Sequence, residues 1–272
     1  MPGDAPCLDE PYALTAGQVA RYAEDGFVQL ERVFRPGELD FFEPHVTREA
    51  RARAWNRDIP FEERSTYDRA FLQATNLWTF DGTVRALSFS RRLARAASEL
   101  MGTRGVRMYH DQALYKEPGF GLTPWHVDQQ YWPLDSDRAV TAWIPFQPVP
   151  LEMGPVSFAR GSHRLDIARD LPIGDESDAV ISRAVADRGL DDVVVPFALG
   201  DVSFHAGWTL HHADANRTES PRRVHTVIYI DVDMRLAEPR NAAQKFDRRV
   251  WSPSTQPGEI MDDPLNPVLF SA

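Results

Sequence analysis

Apolar residues recur at helical spacing through the first hundred positions of the chain, which predicts a helical beginning. The segment after Thr15, a residue type that often caps helix N-termini, predicts a helix that ends at Gly26. Residues 27–30 alternate between apolar and polar side chains as a short strand does. Pro36 then opens a second helix that continues towards Ala54.

From Val84 to Met101 the apolar positions again follow a helical period, which predicts one continuous helix ended by Gly102. After Gly102 the pattern changes to short apolar runs of strand length, many of them separated by Pro or Gly. These runs are residues 106–108, 113–115, 140–146, 156–158, 193–197, 202–205 and 224–232. They predict a mainly β architecture, a sandwich or a barrel, preceded by helices.

Three segments fit neither pattern. Residues 51–67 are dense in charge and read either as a solvated helix face and loop or as part of a lid over a substrate. Residues 164–192 are polar and predict a partly helical excursion, whereas the Pro-rich tail from 236 predicts irregular chain. No linker divides residues 1–272, so we expect one domain with a helical part at about 8–102, a β core at about 103–235 and the tail at 236–272.

Composition narrows the class of partner. The net charge of −10 argues against a nucleic acid or a membrane surface, because both recruit basic patches. The single cysteine, Cys7, cannot form an internal disulfide and fits a reducing, cytoplasmic environment. An acidic chain with lysine only at Lys116 and Lys245 also matches coenzyme A poorly. We therefore expect a free small molecule as the substrate.

The stretch from Pro124 to Asp128 carries the first candidate chemistry. In an extended strand His126 and Asp128 would project to the same face, which sets an imidazole beside a carboxylate. With one further histidine they would form a 2-His-1-carboxylate triad, which holds Fe(II) and leaves adjacent positions open for substrate and O₂.

Candidates for the third ligand lie downstream, where a Gly-Asp turn at residues 200–201 leads to adjacent His211 and His212. Eleven residues after His211, Arg222 stands at the start of the apolar run 224–230. A guanidinium held there suits the remote end of a dicarboxylate, because its planar fork can donate two parallel hydrogen bonds to one carboxylate.

In combination these motifs are similar to those of the phytanoyl-CoA dioxygenase-like family of Fe(II)/2-oxoglutarate-dependent oxygenases. The resemblance runs from residues 14–15 and 25–28 to about Asp231. Its motifs are residues 116–119 (KEPG), 125–128 (WHVD), 141–145 (TAWIP), 152–155 (EMGP), 161–163 (GSH) and 210–211 (LH) with Asn216 and Arg222. It implies a double-stranded β-helix, a cupin-like jelly roll, with the N-terminal helices packed on one sheet.

The resemblance also implies roles for individual residues. The residues that match the iron ligands are His126, Asp128 and His211. Arg222 matches the arginine that pairs with the distal carboxylate of 2-oxoglutarate, and Met108 and Trp143 match residues that line the 2-oxoglutarate pocket. Two positions depart from the pattern, since Val127 stands where glutamine is frequent and Ala213 where a small hydroxyl residue often contacts 2-oxoglutarate.

Several assignments have alternatives. His212 would replace His211 if the register slipped by one residue, and Arg223 could likewise replace Arg222. We interpret His205 as a supporting or core residue and His163 as part of a turn. Lys116 is either an anchor for an anionic ligand group or a solvated strand end. The candidate substrate contacts that follow the ligand pair are Gln129, Gln130, Tyr131 and Trp132.

The expected activity is oxidation of a small organic molecule, in secondary metabolism, with Fe(II), 2-oxoglutarate and O₂ as cofactors and cosubstrates. Hydroxylation is the default outcome, and desaturation, epoxidation or ring closure remain open. Halogenation is disfavoured because Asp128 occupies the position that a halide would need. The alternatives are a cupin-type metalloenzyme that does not use 2-oxoglutarate and a non-catalytic binding domain of the same fold.

Overall fold

Two antiparallel β-sheets face each other in the computed structural model, which describes residues 6–272. The helices are α1 (Ala16–Asp25), α2 (Pro36–Arg53), α3 (Gly82–Ser88), α4 (Arg91–Met101), α5 (Asp175–Arg188) and α6 (Ala242–Trp251). The strands are β1 (Phe27–Leu30), β2 (Leu72–Thr75), β3 (Gly105–Lys116), β4 (Thr123–His126), β5 (Ala139–Pro145), β6 (Val156–Ala159), β7 (Asp192–Val194), β8 (Val202–Ala206), β9 (His211–Ala213), β10 (Arg222–Asp231) and β11 (Val268–Ser271).

The larger sheet has the order β1-β8-β5-β10-β3-β11, with β2 also paired to β3, and the smaller sheet has the order β4-β9-β6-β7. Trp143 and Val224 of the larger sheet share an apolar cluster with Val156 and Phe158 of the smaller one, so the two inner faces pack together. This arrangement is the double-stranded β-helix, and the predicted fold class is confirmed.

The N-terminal helices cover the outer face of the larger sheet. Phe42 of α2 and Leu93 of α4 lie in the same buried core as Val140 of β5 and Val227 of β10. Because side chains alternate along a strand, Trp143 of β5 points the opposite way, into the space between the sheets. Burial on both faces explains why every residue of β5 is buried and all but Thr141 are apolar.

The first helix begins and ends as predicted. Thr15 accepts a hydrogen bond from the Gln18 backbone amide while the Gln18 side chain binds back, which forms a capping box. The single helix predicted from Val84 to Met101 is wrong, because α3 ends at Ser88 and α4 starts after Ser90. The Ser90 hydroxyl caps the amide of Leu93, and a serine in an apolar pattern favours such a cap over the helix interior.

The tail from residue 236 is not irregular throughout, as the sequence suggested. Asn241 caps α6, and Pro239 and Pro253 flank that helix. Further on, β11 pairs with residues 105–107 of β3. The predicted excursion at residues 164–192 does contain a helix, α5, which packs on β4.

Two short strands and a side chain occupy the outer edge of β3. One half of that edge pairs with β2 through residues 112–115, and the other half pairs with β11. Between them the Asn266 amide donates hydrogen bonds of 3.1 Å and 3.2 Å to the carbonyls of Met108 and Tyr109. None of the helices described between residues 6 and 272 combines the length and the hydrophobicity of a membrane-spanning segment.

Candidate functional site

Two histidines and one aspartate converge where β4 and β9 meet. His126 ends β4, His211 begins β9, and the two residues are register partners in the smaller sheet. Asp128 Oδ1 lies 3.7 Å from His126 Nε2 and 3.6 Å from His211 Nε2. One donor atom from each of the three side chains fits within 4.8 Å of the others, a spacing that could hold a metal ion.

The route by which His126 and Asp128 meet differs from the expectation. The strand stops at His126, and Asp128 has helical backbone angles (φ −69°, ψ −43°) that begin a short 3₁₀ turn. The carboxylate therefore reaches the histidine through a turn and not through strand alternation. The adjacent Val127 packs into an apolar cluster beneath α5, which holds the turn in place.

Both histidines present the same ring nitrogen to Asp128. His126 Nδ1 lies 2.7 Å from the Pro124 carbonyl and His211 Nδ1 lies 2.9 Å from the Thr209 carbonyl. A carbonyl can only accept, so each Nδ1 donates and each Nε2 keeps a free lone pair. Burial lowers the pKa of both rings, which keeps them neutral and able to bind a metal.

Asp128 is oriented through its second oxygen. Oδ2 accepts a hydrogen bond of 3.0 Å from the Thr141 hydroxyl and lies 3.2 Å from His205 Nε2. Burial opposes ionisation, but the nearby His211 and His205 outweigh it and hold the pKa of Asp128 well below its usual range. Oδ1 remains directed at the two histidines. The structure thus places His205 in the supporting position, and Thr141 is a residue that sequence reasoning missed.

A narrow pocket of about 70 Å³ begins at this triad and runs between the two sheets towards Arg222. Trp143, Leu114, Val156 and Ala213 form apolar parts of its wall. Ala213, one of the two departures from the family pattern, therefore lies in this pocket without a hydroxyl to offer.

Arg222 is 2% exposed and lines the far part of the pocket. One of its terminal nitrogens donates to the Gly154 carbonyl, and its guanidinium carbon lies 5.4 Å from the centre of the Trp143 ring. Its Nε has no hydrogen-bond partner, and no carboxylate pairs with it within residues 6–272. Burial lowers its pKa to about 9, so it stays charged at neutral pH.

The backbone around Arg222 is close-packed. Gly154 has a φ of +67°, and a Cβ there would collide with the Asp214 carbonyl. Only glycine therefore allows its own carbonyl to reach the guanidinium. Arg223 points to the helix side of the sheet, where it lies 2.8 Å from Glu43. The structure separates the two arginines as strand alternation requires.

Met108 does not line the pocket and is corrected to a core residue. Its side chain is fully buried with the helices on the other face of the larger sheet. The register between β3 and β10 shifts between Ile228 and Tyr229, so that Tyr109 is an extra residue in β3. Beyond such a bulge the faces exchange, and Met108 points away from Gln112 and Leu114.

Lys116 is neither a ligand anchor nor a solvated strand end. It is fully buried, and its ammonium donates to the carbonyls of Gly121 (2.9 Å) and Asp214 (2.7 Å). Burial lowers its pKa well below the usual value. These two carbonyls lie in the chain segments beside β4 and β9, so Lys116 braces the strands that carry the triad.

Of the four residues proposed as substrate contacts after the ligand pair, two fail. Gln129 is buried, donates to the Ser136 carbonyl and packs against Gly207. Gln130 is also buried and does not line the cavity, and its backbone carbonyl accepts from the Gln244 side chain of the tail. Tyr131 and Trp132 line a cavity beside the triad and stay candidates for substrate contact.

That cavity is the second space beside the triad, with a volume of about 480 Å³, and it opens next to His126 and Asp128. Six aromatic side chains form much of its wall, namely Trp55, Tyr67, Tyr131, Trp132, Phe246 and Trp251. Trp55 and Tyr67 belong to the charged segment 51–67, which favours the lid interpretation of that segment. Sequence reasoning missed the contribution of α6 to this cavity. The one feature that could have indicated it is the presence of aromatic residues in an otherwise polar segment.

The remaining histidines fall outside the triad. His212 points to the other side of β9, where its Nε2 lies 3.0 Å from Asp192. His163 packs in the turn against Gly26, as interpreted from the sequence.

Comparison with known proteins identifies the relatives of this architecture. A family model described as phytanoyl-CoA dioxygenase matches residues 22–224. A probable alpha-ketoglutarate-dependent hypophosphite dioxygenase from Stutzerimonas stutzeri is 22% identical over 228 residues, which cover 80% of this chain and 79% of the relative.

Two solved structures are similar over nearly the full length. The alpha-ketoglutarate-dependent carbocyclase SnoK from nogalamycin biosynthesis is 26% identical with a TM-score of 0.76, covering 98% of this chain and 100% of its own. The epimerase SnoN, in complex with Fe³⁺, alpha-ketoglutarate and nogalamycin RO, is 26% identical with a TM-score of 0.74, covering 93% and 98%. EctD from S. alaskensis, solved with bound Fe, shares the fold at 21% identity and a TM-score of 0.67, covering 85% of this chain and 83% of its own.

Proposed function

The chain belongs to the phytanoyl-CoA dioxygenase family, and on that premise we propose that it uses Fe(II) and 2-oxoglutarate to oxidise a C–H bond of a small organic molecule. Iron and 2-oxoglutarate are the cofactor and cosubstrate of such dioxygenases. When bound with O₂ they supply the oxidation of a substrate C–H bond and yield succinate and CO₂ as co-products.

The donor set supports iron. Two neutral imidazoles and one ionised carboxylate on one side of a pocket form the facial triad that non-haem Fe(II) oxygenases use. We assign His126, Asp128 and His211 as the ligands. The carbonyls of Pro124 and Thr209 fix the rings, while Thr141 and His205 fix the carboxylate, so that the ligands need little rearrangement when the metal binds.

Arg222 is the single observation that carries the assignment of 2-oxoglutarate. A charged guanidinium buried without a carboxylate partner is costly, and the unpaired Nε leaves part of its donor fork free. A dicarboxylate bound along the narrow pocket would present one end to the triad and the other to Arg222. Trp143 would hold the guanidinium in place through its ring face.

Hydroxylation remains the expected outcome, in secondary metabolism. Ring closure or epimerisation is the second candidate, because the similar structures SnoK and SnoN are a carbocyclase and an epimerase from one biosynthetic route. In either case the residues around the larger cavity would exclude water and orient the substrate C–H bond towards the triad.

An anaerobic titration tests the proposal. The full chain loaded with Fe(II) should develop a weak visible absorption band when 2-oxoglutarate is added, because the band requires chelation by the keto acid. Glutarate, which lacks the keto oxygen, is the matched control and should give no band. A protein that binds Fe(II) stoichiometrically but shows no band with 2-oxoglutarate would instead support the cupin-type alternative, and one that binds no Fe(II) would support the non-catalytic one.

A further inference from the structure

The larger cavity carries a carboxylate that neither iron nor 2-oxoglutarate uses. Asp247 projects from α6 into the cavity wall and is 7% exposed. Its Oδ2 accepts a hydrogen bond of 3.0 Å from the Tyr109 hydroxyl. No Lys, Arg or His nitrogen pairs with it within the described chain.

The charges around this cavity are one-sided. No lysine or arginine lines it, and of its two carboxylates Asp128 is assigned to the iron, which leaves Asp247 as the one directed at a substrate. The arginines next to Asp247 on α6 make other contacts: Arg248 donates to Thr255 and Gln256, and Arg249 lies over the ring of Phe246, a residue of the cavity wall. His110, which also lines the cavity, has a pKa lowered to about 4 by burial and is neutral. Among the described residues, no lysine or arginine side chain lines the cavity to pair with an anionic substrate.

The same carboxylate is poorly solvated. Burial raises the pKa of Asp247 to about 7, although the hydrogen bonds from Tyr109 and Trp251 oppose the rise. A bound cation would replace the missing solvation and favour the charged form of the side chain. Aromatic faces such as those of Trp55, Trp132 and Trp251 also attract cations and stack on flat rings.

We propose that Asp247 binds a protonated amine of the substrate, whose flat aromatic or polycyclic body packs against the aromatic walls of the larger cavity. This inference rests on the proposed function, because the cavity opens beside the triad. It names a cationic aromatic substrate class and disfavours carboxylates, phosphates and thioesters of coenzyme A, which are anionic. A volume of about 480 Å³ is within the range of pockets that enclose drug-sized molecules.

Three dansyl probes with the same five-carbon spacer test this assignment on the full chain at about pH 8, where the carboxylate is ionised and an alkylamine is protonated. Dansylcadaverine carries an ammonium, its N-acetyl derivative is neutral, and dansyl-6-aminohexanoate carries a carboxylate. Dansyl fluorescence rises in apolar surroundings, so a titration gives the affinity of each probe. We expect the order cationic, neutral, anionic, with roughly a tenfold or greater step between the first two.

Asp247→Asn should lower the affinity of dansylcadaverine roughly ten- to hundredfold and leave the neutral probe nearly unchanged. Asp233→Asn is the control, because it changes the net charge equally at an exposed carboxylate paired with Arg104. Equal loss in both variants, equal binding of the neutral and cationic probes, or no saturable binding of any probe would overturn the inference.

Two features keep the result interpretable. The order of the three probes on the unmodified chain tests the charge preference without any substitution, so a poorly folded variant cannot conceal a negative result. The probe titration needs neither turnover nor 2-oxoglutarate, whereas the proposed function is tested by the absorption band in the neighbouring pocket. A failure of one experiment therefore does not count as a failure of the other.

Discussion

The narrow pocket and the larger cavity meet at the same triad but are built in different ways. The pocket lies between the two sheets, where His126, His211 and Arg222 sit on paired strands and Asp128 sits on the turn that follows β4. The cavity borders β2 and β3 of the larger sheet, and the rest of its wall comes mainly from the segment 51–67, the turn after Asp128 and helix α6 of the tail. The pocket carries a buried arginine, whereas the cavity carries a buried aspartate.

This difference separates two tasks. Groups that bind a metal and a cosubstrate need fixed distances. Paired strands supply them, because a register shift by one residue would move every side chain of a strand to the opposite face. Groups that recognise a substrate can come from loops and a terminal helix, which accept changes in sequence more readily. Substitutions in the pocket should therefore impair cofactor binding, and those in the cavity should leave it intact.

The largest expected effect is at the ligand strand. His211→Ala should abolish stoichiometric Fe(II) binding, because the remaining His126 and Asp128 supply only two donors. His212→Ala is the matched control, since its ring faces Asp192 on the other side of β9. Fe(II) retained after anaerobic gel filtration, measured with a chromogenic chelator, reports both variants. The opposite pattern would show that the neighbouring histidine is the ligand.

The next largest effect concerns the stability of the folded chain and arises from Asp247 in the cavity wall. The pKa of Asp247 is raised to about 7 in the folded chain, above about 3.9 in the unfolded chain, so its favourable contribution is complete below about pH 4 and is lost as the pH rises through 7. Asparagine resembles the protonated form. The free energy of unfolding of Asp247→Asn minus that of the unmodified chain should therefore increase by up to about 4 kcal/mol from pH 4 to pH 8.

Urea denaturation at several pH values measures this gain. Asp233→Asn is again the control, because its hydrogen bond with Arg104 lowers the pKa of Asp233 and gives no gain with rising pH. If the difference in free energy of unfolding between Asp247→Asn and the unmodified chain did not depend on pH, the pKa of Asp247 would not be raised by folding.

The smallest expected effect separates the two arginines. Arg222→Met removes a charge-assisted contact of about 1.5–3 kcal/mol and should raise the 2-oxoglutarate requirement roughly ten- to hundredfold, with Fe(II) affinity little changed. Arg223→Met should leave both affinities near those of the unmodified chain, because Arg223 pairs with Glu43 on the helix side. If Arg223→Met bound 2-oxoglutarate more weakly and Arg222→Met bound it normally, Arg223 would be the arginine that binds the cosubstrate.

The sequence predicted the pocket better than the cavity for a physical reason. His126, His211 and Arg222 stand on strands, Asp128 follows His126 by two residues, and the structure brings all four around one pocket. Met108 was misassigned because one extra residue, Tyr109, reverses the faces of β3, and no pattern in the sequence marks the bulge. Lys116 was misread because its partners are backbone carbonyls, which any sequence could provide.

The cavity was largely invisible in the sequence. α6 has a polar sequence, and its position depends on packing against the turn that contains Gln130. In the sequence nothing distinguishes Asp247 from the other acidic residues, because its contact with Tyr109 is made only in the folded structure. The aromatic residues Trp55 and Trp251 are far apart along the chain, and only tertiary structure places them in one wall.

The shared outer edge of β3 has a consequence for handling this protein. An unpaired strand edge is a template on which another chain can add, and long unprotected edges promote aggregation. Here β2 occupies one half, β11 the other and Asn266 the gap between them. Truncation before residue 264 would remove β11 and Asn266 together, and we expect it to leave the protein prone to self-association even where the triad is untouched.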